Sequence, residues 1–195
     1  MHPRQPPETS TDRRSMRTRY ALRGALMNLM GERAWDDIAV QDVCDRADIG
    51  RSTFYSHYPN KDALLLGSLD DLRVALVHLA AERAATRDKG RQTGFGFALG
   101  LIEHAHEQRK VFRSLIGRRS GFVVQQRFRE MVIRLVTDEL PVSTGKLPRE
   151  AVARCIAAAF VELLSWWVEQ RTPMPTEELA TLFQEMSGPL LAERR

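Results

Sequence analysis

Cysteine is scarce. The two in this chain of 195 residues, Cys44 and Cys155, stand far apart and form no C-x-x-C pair. That excludes a disulfide-stapled scaffold and a zinc module, and it suits a reducing cytoplasm. Proline is absent between residues 60 and 140, so only the glycine clusters Gly90/Gly94/Gly96 and Gly117/Gly121 interrupt that stretch. No long apolar run occurs. The most apolar segment, Cys155 to Val168, is broken by Glu162 and flanked by Arg154 and Glu169. A bilayer span needs about 20 predominantly apolar residues, so this segment reads as a buried core helix. The first eight residues, Met1 to Glu8, lack the apolar stretch of a signal peptide.

Catalytic and cofactor motifs are missing as well. The chain has no P-loop, no G-x-S-x-G and no H-E-x-x-H. Gly94, Gly96 and Gly100 miss dinucleotide-binding spacing and follow no strand. His104 and His106 are two apart, and positions two apart on a helix do not share a face, so they do not make a metal pair. No enzyme, metal or cofactor is expected.

What is present is helical. Period-2 alternation of Val, Ile and Thr is nowhere sustained, whereas apolar stripes at 3.6-residue spacing recur along the chain. The reading is all-α, with about nine helices near 13–31, 40–47, 51–57, 60–88, 95–109, 110–117, 120–139, 148–171 and 176–193. Leu22, Ala25, Leu26, Leu29 and Met30 form the stripe of the first, and Asn60 after Pro59 is a good N-cap for the fourth. A composition of 43% apolar and 28% charged residues fits an ordinary globular fold, and the net charge of +4 permits a polyanionic partner. Short helices occupy the first sixty-odd residues and long ones the rest. This divides the chain into an arm (1–12), a small domain (13–65) and a larger one (66–195).

The informative stretch is Ile38 to Tyr58. Val40, Val43 and Ala47 make an apolar helical face, Asp48-Ile49-Gly50 breaks it, and a second short helix begins at Arg51. Phe54 and Tyr58, four apart, can close onto Val43 and Ile49. Helix, three-residue turn, helix is the geometry of a helix-turn-helix. The outward positions of the second helix, Arg51, Ser52, Thr53, Tyr55, Ser56 and His57, include no acid, and all can donate hydrogen bonds. A helix entering the major groove needs that chemistry.

The run Arg51-Ser52-Thr53-Phe54-Tyr55-x-His57-Tyr58, followed by Lys61, resembles the DNA-binding domain of TetR/AcrR-family transcriptional regulators, over roughly residues 14–65. Three positions depart from the family pattern. Ala39 stands where a threonine usually caps the second helix, Asp48 replaces a turn glycine, and Gly50 stands where serine often caps the third helix. Aspartate tolerates the left-handed conformation and glycine is an acceptable N-cap. The resemblance implies base-edge and nearby phosphate contacts for Arg51, Ser52 and Thr53, and phosphate contacts for Tyr55 and His57. Lys61 would reach the DNA backbone from the start of the fourth helix, while Phe54 and Tyr58 would be core. Residues 1–23 carry arginines at 4, 13, 14, 17, 19 and 23 against Glu8 and Asp12. The flexible basic arm (1–12) and the first turns of the helix after it either follow the phosphates, Arg17 ahead of Arg4, or are a solvated tail with a charged first turn.

Beyond residue 65 the resemblance fades. Ile156, Phe160, Leu163, Leu179, Leu182, Phe183 and Met186 lie on two helices that can build a four-helix homodimer interface, or can pack within one chain. Leu101, His104, Phe112, Phe128, Met131, Phe160, Trp166 and Trp167 are pocket candidates, although core packing explains them equally well. The resemblance implies a homodimeric repressor that is released from a pseudo-palindromic double-stranded operator by a small-molecule effector of unknown identity. An activator or ligand-independent regulator of the same fold stays open, as does a helical binding protein that no longer reads DNA.

Overall fold

The computed structural model describes residues 10–86, 95–116, 121–141 and 147–191. Among these residues every regular element is helical: α1 (Ser10–Glu32), a 3-10 turn (Trp35–Asp37), α2 (Val40–Ala47), α3 (Arg51–His57), α4 (Lys61–Thr86), α5 (Phe97–Glu107), α6 (Arg109–Ile116), α7 (Phe122–Glu139), α8 (Arg149–Glu169) and α9 (Thr176–Leu191). The all-α reading holds. The 3-10 turn was not expected, because three residues are too few to leave a periodic pattern. Helix α1 begins three residues before the expected start, inside the predicted arm; Arg4 and the rest of residues 1–9 lie outside the described residues.

The apolar stripe of α1 is buried throughout, from Leu22 and Leu26 at 0% exposure to Ala25 at 4%. It packs with Val43, Cys44, Phe54, Tyr58, Leu64 and Leu65 into one core. Each large side chain removed from water in this way is worth roughly 1.5–3 kcal/mol before the entropy of ordering is charged against it. Asn60 caps α4 as its sequence suggests, its Oδ1 accepting the Ala63 N–H at 2.8 Å. Helix α4 then carries the same core on towards the later helices. It packs on α1, α5 and α7. Gly100 permits the approach of α5, since a Cβ there would meet Leu79 and Leu76 at 3.0 and 3.1 Å.

Helix α8 is long and apolar enough by length and composition to cross a membrane. Its inner face, Val152, Ala153, Ile156, Ala157, Phe160, Leu164, Trp167 and Val168, is instead buried, against α5, α6, α7 and α9. Its C-terminal carbonyls are not left orphaned. Arg109 and Arg113 both donate to the Val168 carbonyl, at 2.9 and 2.8 Å, and Arg109 also donates to that of Gln170. At the other end of the domain, Glu139 closes α7 onto α5. Its carboxylate accepts the Gly96 and Phe97 N–H groups at 2.5 and 3.0 Å, filling the place of an N-cap that Gly96 has no side chain to provide.

Candidate nucleic-acid interface

The turn between α2 and α3 shows how the sequence departures are absorbed. Ala39 cannot accept a hydrogen bond through its side chain, so half of a capping box is gone. The other half survives: Asp42, in the first turn of α2, accepts the Ala39 N–H at 2.7 Å. Helix α2 ends at Asp48, whose φ of 53° and ψ of 47° are left-handed, the conformation aspartate tolerates and most residues do not. The Ile49 N–H returns to the Cys44 carbonyl at 3.0 Å and closes the turn. Gly50 then enters α3 in extended conformation with no side-chain cap.

Helix α3 is divided sharply by burial. Phe54 is fully buried, packed edge-on to Tyr55 and tilted against Tyr58, which is 8% exposed. Arg51, Ser52, Thr53, Tyr55 and Ser56 are exposed, and His57 is half-buried. The Arg51 guanidinium lies 5.9 Å from the centre of the Tyr55 ring, and a hydrogen bond to the Tyr55 side chain holds it more firmly protonated than a free guanidinium. Ser56 is partly occupied, since its hydroxyl donates to the Thr53 carbonyl at 2.7 Å. The short helix thus offers a surface of donors, free of acids, on a base fixed by Phe54.

Lys61 is placed differently from the role carried over to it. Its ammonium donates to the carbonyls of Trp35 and Ile38, both at 2.8 Å, and lies 4.6 Å from the centre of the Trp35 ring. Two of its three donors therefore tie the 3-10 turn to the start of α4. No local pattern foretells this, because the carbonyls that capture it lie 23 and 26 residues upstream. Trp35 is the residue that sequence reasoning missed. It is 5% exposed, and on its other side a Cβ at Gly121, before α7, would lie 3.5 Å from its Cδ1. Arg17, like Arg13, Arg14 and Arg19, is exposed on α1, whereas Arg23 pairs with Asp71 of α4.

In the second domain the pocket candidates separate. Leu101, Phe112, Phe128, Met131, Phe160 and Trp167 are 0–4% exposed and packed against one another or their neighbours. Phe112 meets Phe128 at 5.7 Å and Phe160 meets Phe97 at 5.3 Å, both edge-on, and the Trp167 N–H donates to the Met174 carbonyl at 2.8 Å. These are core contacts. His104 is half-buried with its ring edge-on to Phe112, and burial pushes its pKa below the ordinary value. Trp166 lines a cleft. This space of about 340 Å³ lies between the end of α6, α7 and α8, bounded by Ile116, Gln125, Arg129, Val161, Glu162, Ser165, Trp166 and Glu169.

The expected interface residues separate in the same way. Ile156, Phe160, Leu179 and Phe183 are 0–1% exposed inside this one chain, with Phe160 and Phe183 edge-on at 4.8 Å. They are corrected to core. Leu163 and Leu182 are half-buried, and Met186 is 56% exposed. A stripe that satisfies the monomer's core has the same period as one that meets a partner, so sequence did not distinguish them.

Comparison with known proteins agrees with this geometry. A family model described as bacterial regulatory proteins, tetR family, matches residues 22–67, and one described as transcriptional regulator C-terminal region matches residues 93–188. The chain is 41% identical over 59 residues to the uncharacterized HTH-type transcriptional regulator YxbF of Bacillus subtilis, a match covering 30% of this chain and 16% of that one. It is 42% identical over 50 residues to the HTH-type transcriptional regulator EthR of Mycobacterium tuberculosis, covering 26% and 23%. These matches thus span less than a quarter of either relative. Solved structures extend over the whole fold. A TetR transcriptional regulator from Streptococcus agalactiae is 27% identical with a TM-score of 0.62, over 91% of this chain and 97% of that one. NalD of Pseudomonas aeruginosa, described as the secondary repressor of a multidrug efflux pump, shares the fold at 18% identity and a TM-score of 0.64, over 94% and 100%.

Proposed function

The chain belongs to the TetR family of bacterial regulatory proteins and is a DNA-binding transcriptional regulator, not an enzyme; from that premise we propose that it is a homodimeric repressor, working in the cytoplasm, released from a pseudo-palindromic operator by a small molecule. The observation that carries the reading is α3: five exposed side chains able to donate hydrogen bonds, no carboxylate, and a buried Phe54 that fixes their direction. Arg51 has the chemistry to read a guanine through O6 and N7, and Ser52 and Thr53 the position to contact neighbouring bases or phosphates. Tyr55, His57 and Arg17 serve phosphates. Residues 13–65 form the reading unit and 66–195 the sensing and pairing unit.

Two copies place two recognition helices in successive major grooves, about 34–36 Å apart. With Ile156, Phe160, Leu179 and Phe183 assigned to the core, the pairing surface falls to the residues that α8 and α9 leave outside. Ala151, Cys155, Ala158 and Ala159 on α8 are exposed and small, and on α9 Leu182 is half-buried and Met186 exposed, adding apolar surface. Small side chains let helices approach closely and so favour a four-helix contact. An effector that favours a wider separation of the recognition helices must weaken DNA binding, and DNA must weaken effector binding by the same factor. The test is selection and sequencing of genomic fragments by the purified protein near physiological salt, with its mass determined by sedimentation. An enriched pseudo-palindrome bound by a dimer is expected. A monomer, or binding without an enriched sequence, contradicts the reading.

A further inference from the structure

We propose that the cleft between α6, α7 and α8 is the effector site and that it selects a lipophilic cation. This rests on the reading of the chain as an effector-released regulator, and it names the chemistry of the effector. The walls of the cleft divide into two kinds. Ile116 and Val161 offer apolar surface, and Trp166, 46% exposed, offers the face of an indole. On α8, Glu162 and Glu169 stand four residues before and three residues after Trp166, so all three share one helical face with the indole between the carboxylates. Neither carboxylate is ion-paired among the described residues, and no cation lies over the Trp166 ring.

Among the described residues Arg129 on α7 supplies the one positive charge of the lining, so the described lining carries one more negative charge than positive. That sign runs against the net +4 of the chain. A polyanion or a carboxylated ligand meets two carboxylates there. An aromatic or quaternary cation meets an indole face flanked by both, the arrangement that favours an organic cation over a neutral or anionic analogue. The volume of about 340 Å³ suits a molecule of drug size.

The position of the cleft also gives occupancy a route to DNA. Gln125 lines the cleft in the first turn of α7, and Gly121, at the start of that helix, packs on Trp35, whose ring carries Lys61. A ligand that moves the start of α7 therefore disturbs the clamp that holds α4 to the helix-turn-helix.

The experiment titrates the full-length protein with tetraphenylphosphonium and, separately, with tetraphenylborate, an anion of nearly the same shape, reading heat and tryptophan fluorescence. Expected is saturable binding of the phosphonium at least tenfold tighter than the borate. The double variant Glu162→Gln/Glu169→Gln should lose about tenfold in phosphonium affinity, and Trp166→Leu should lose both affinity and the fluorescence change. Folding of each variant is checked by its melting temperature without ligand. Equal or tighter binding of the borate, no binding of the phosphonium, or full affinity in Trp166→Leu overturns the assignment. Dissociation of a dimer by the phosphonium also overturns it, since the cleft would then belong to a second copy of the chain. A protein that selects a pseudo-palindrome yet ignores the phosphonium keeps the regulator reading and loses this one; one that binds it but selects no sequence does the reverse.

Discussion

The ammonium of Lys61, gripped by two carbonyls and an indole ring, makes this residue a tie within the fold before it is anything to DNA. Lys61→Met should lower unfolding free energy by about 1.5–3 kcal/mol in urea denaturation, the range for hydrogen bonds to a charged group. Tyr55→Phe, which removes an exposed hydroxyl and its hydrogen bond with Arg51, should leave stability within about 0.5 kcal/mol and weaken operator binding with a shallower salt dependence. Arg51→Ala should weaken operator binding roughly tenfold to a hundredfold and relax the preference at one base pair. A Lys61 variant of unchanged stability would show that the clamp is unimportant. His104 sets a pH dependence. Burial holds its pKa below 6.5, so the unfolded chain binds the proton more readily than the folded one. The stability from keeping this ring neutral is full above about pH 6.5 and falls as pH drops below it. The melting temperature should therefore fall less steeply between about pH 7.5 and 5.5 in His104→Leu than in the parent. Glu139, raised by burial, titrates with the opposite sign, which is why the comparison is made between variants.

At the scale of the element, helices α2 and α8 show what periodicity reveals and what it hides. The ends of α2 were legible because capping is local: Ala39 lacks an acceptor, Asp48 turns left-handed, and both follow from residue type. Ala39→Thr should restore the missing cap and raise stability by about 0.5–1 kcal/mol in chemical denaturation; no gain would mean that Asp42 already satisfies this terminus. In α8 the period located the helix but not the role of its faces. Trp166 and Trp167 are adjacent in sequence and about 100° apart on the helix, so one is 46% exposed beside the cleft and the other fully buried. Which of them faces the core depends on α5, α6, α7 and α9, and no local pattern encodes that. The proposed pairing surface follows from the same division. Ala158→Arg, at an exposed position, should shift sedimentation from dimer to monomer while changing the monomer's melting temperature little. A variant that remains fully dimeric would move the interface elsewhere.

On the scale of the whole molecule, α4 and Trp35 join the helix-turn-helix to the helices that follow it. Helix α4 meets α1 through Arg23 and Asp71, and α7 through the Arg73–Asp138 and Arg134–Asp70 pairs. The carboxylates of these ion pairs are exposed to solvent, which screens each pair, so they register the helices more than they hold them. Trp35 adds a buried contact between α7 and the helix-turn-helix. The sequence disclosed the helix-turn-helix because its chemistry lies within twenty consecutive residues. The cleft joins residues from 116 to 169, a constellation that exists only after the chain has folded. If α3 reads a two-fold symmetric sequence, sequencing of the genomic fragments retained by the purified protein and by its Arg51→Ala variant shows it. Expected is a pseudo-palindrome with half-sites about one helical turn apart, sharply enriched by the parent and degenerate at one position per half-site in the variant. Salt-sensitive retention with no enriched sequence in the parent would contradict it.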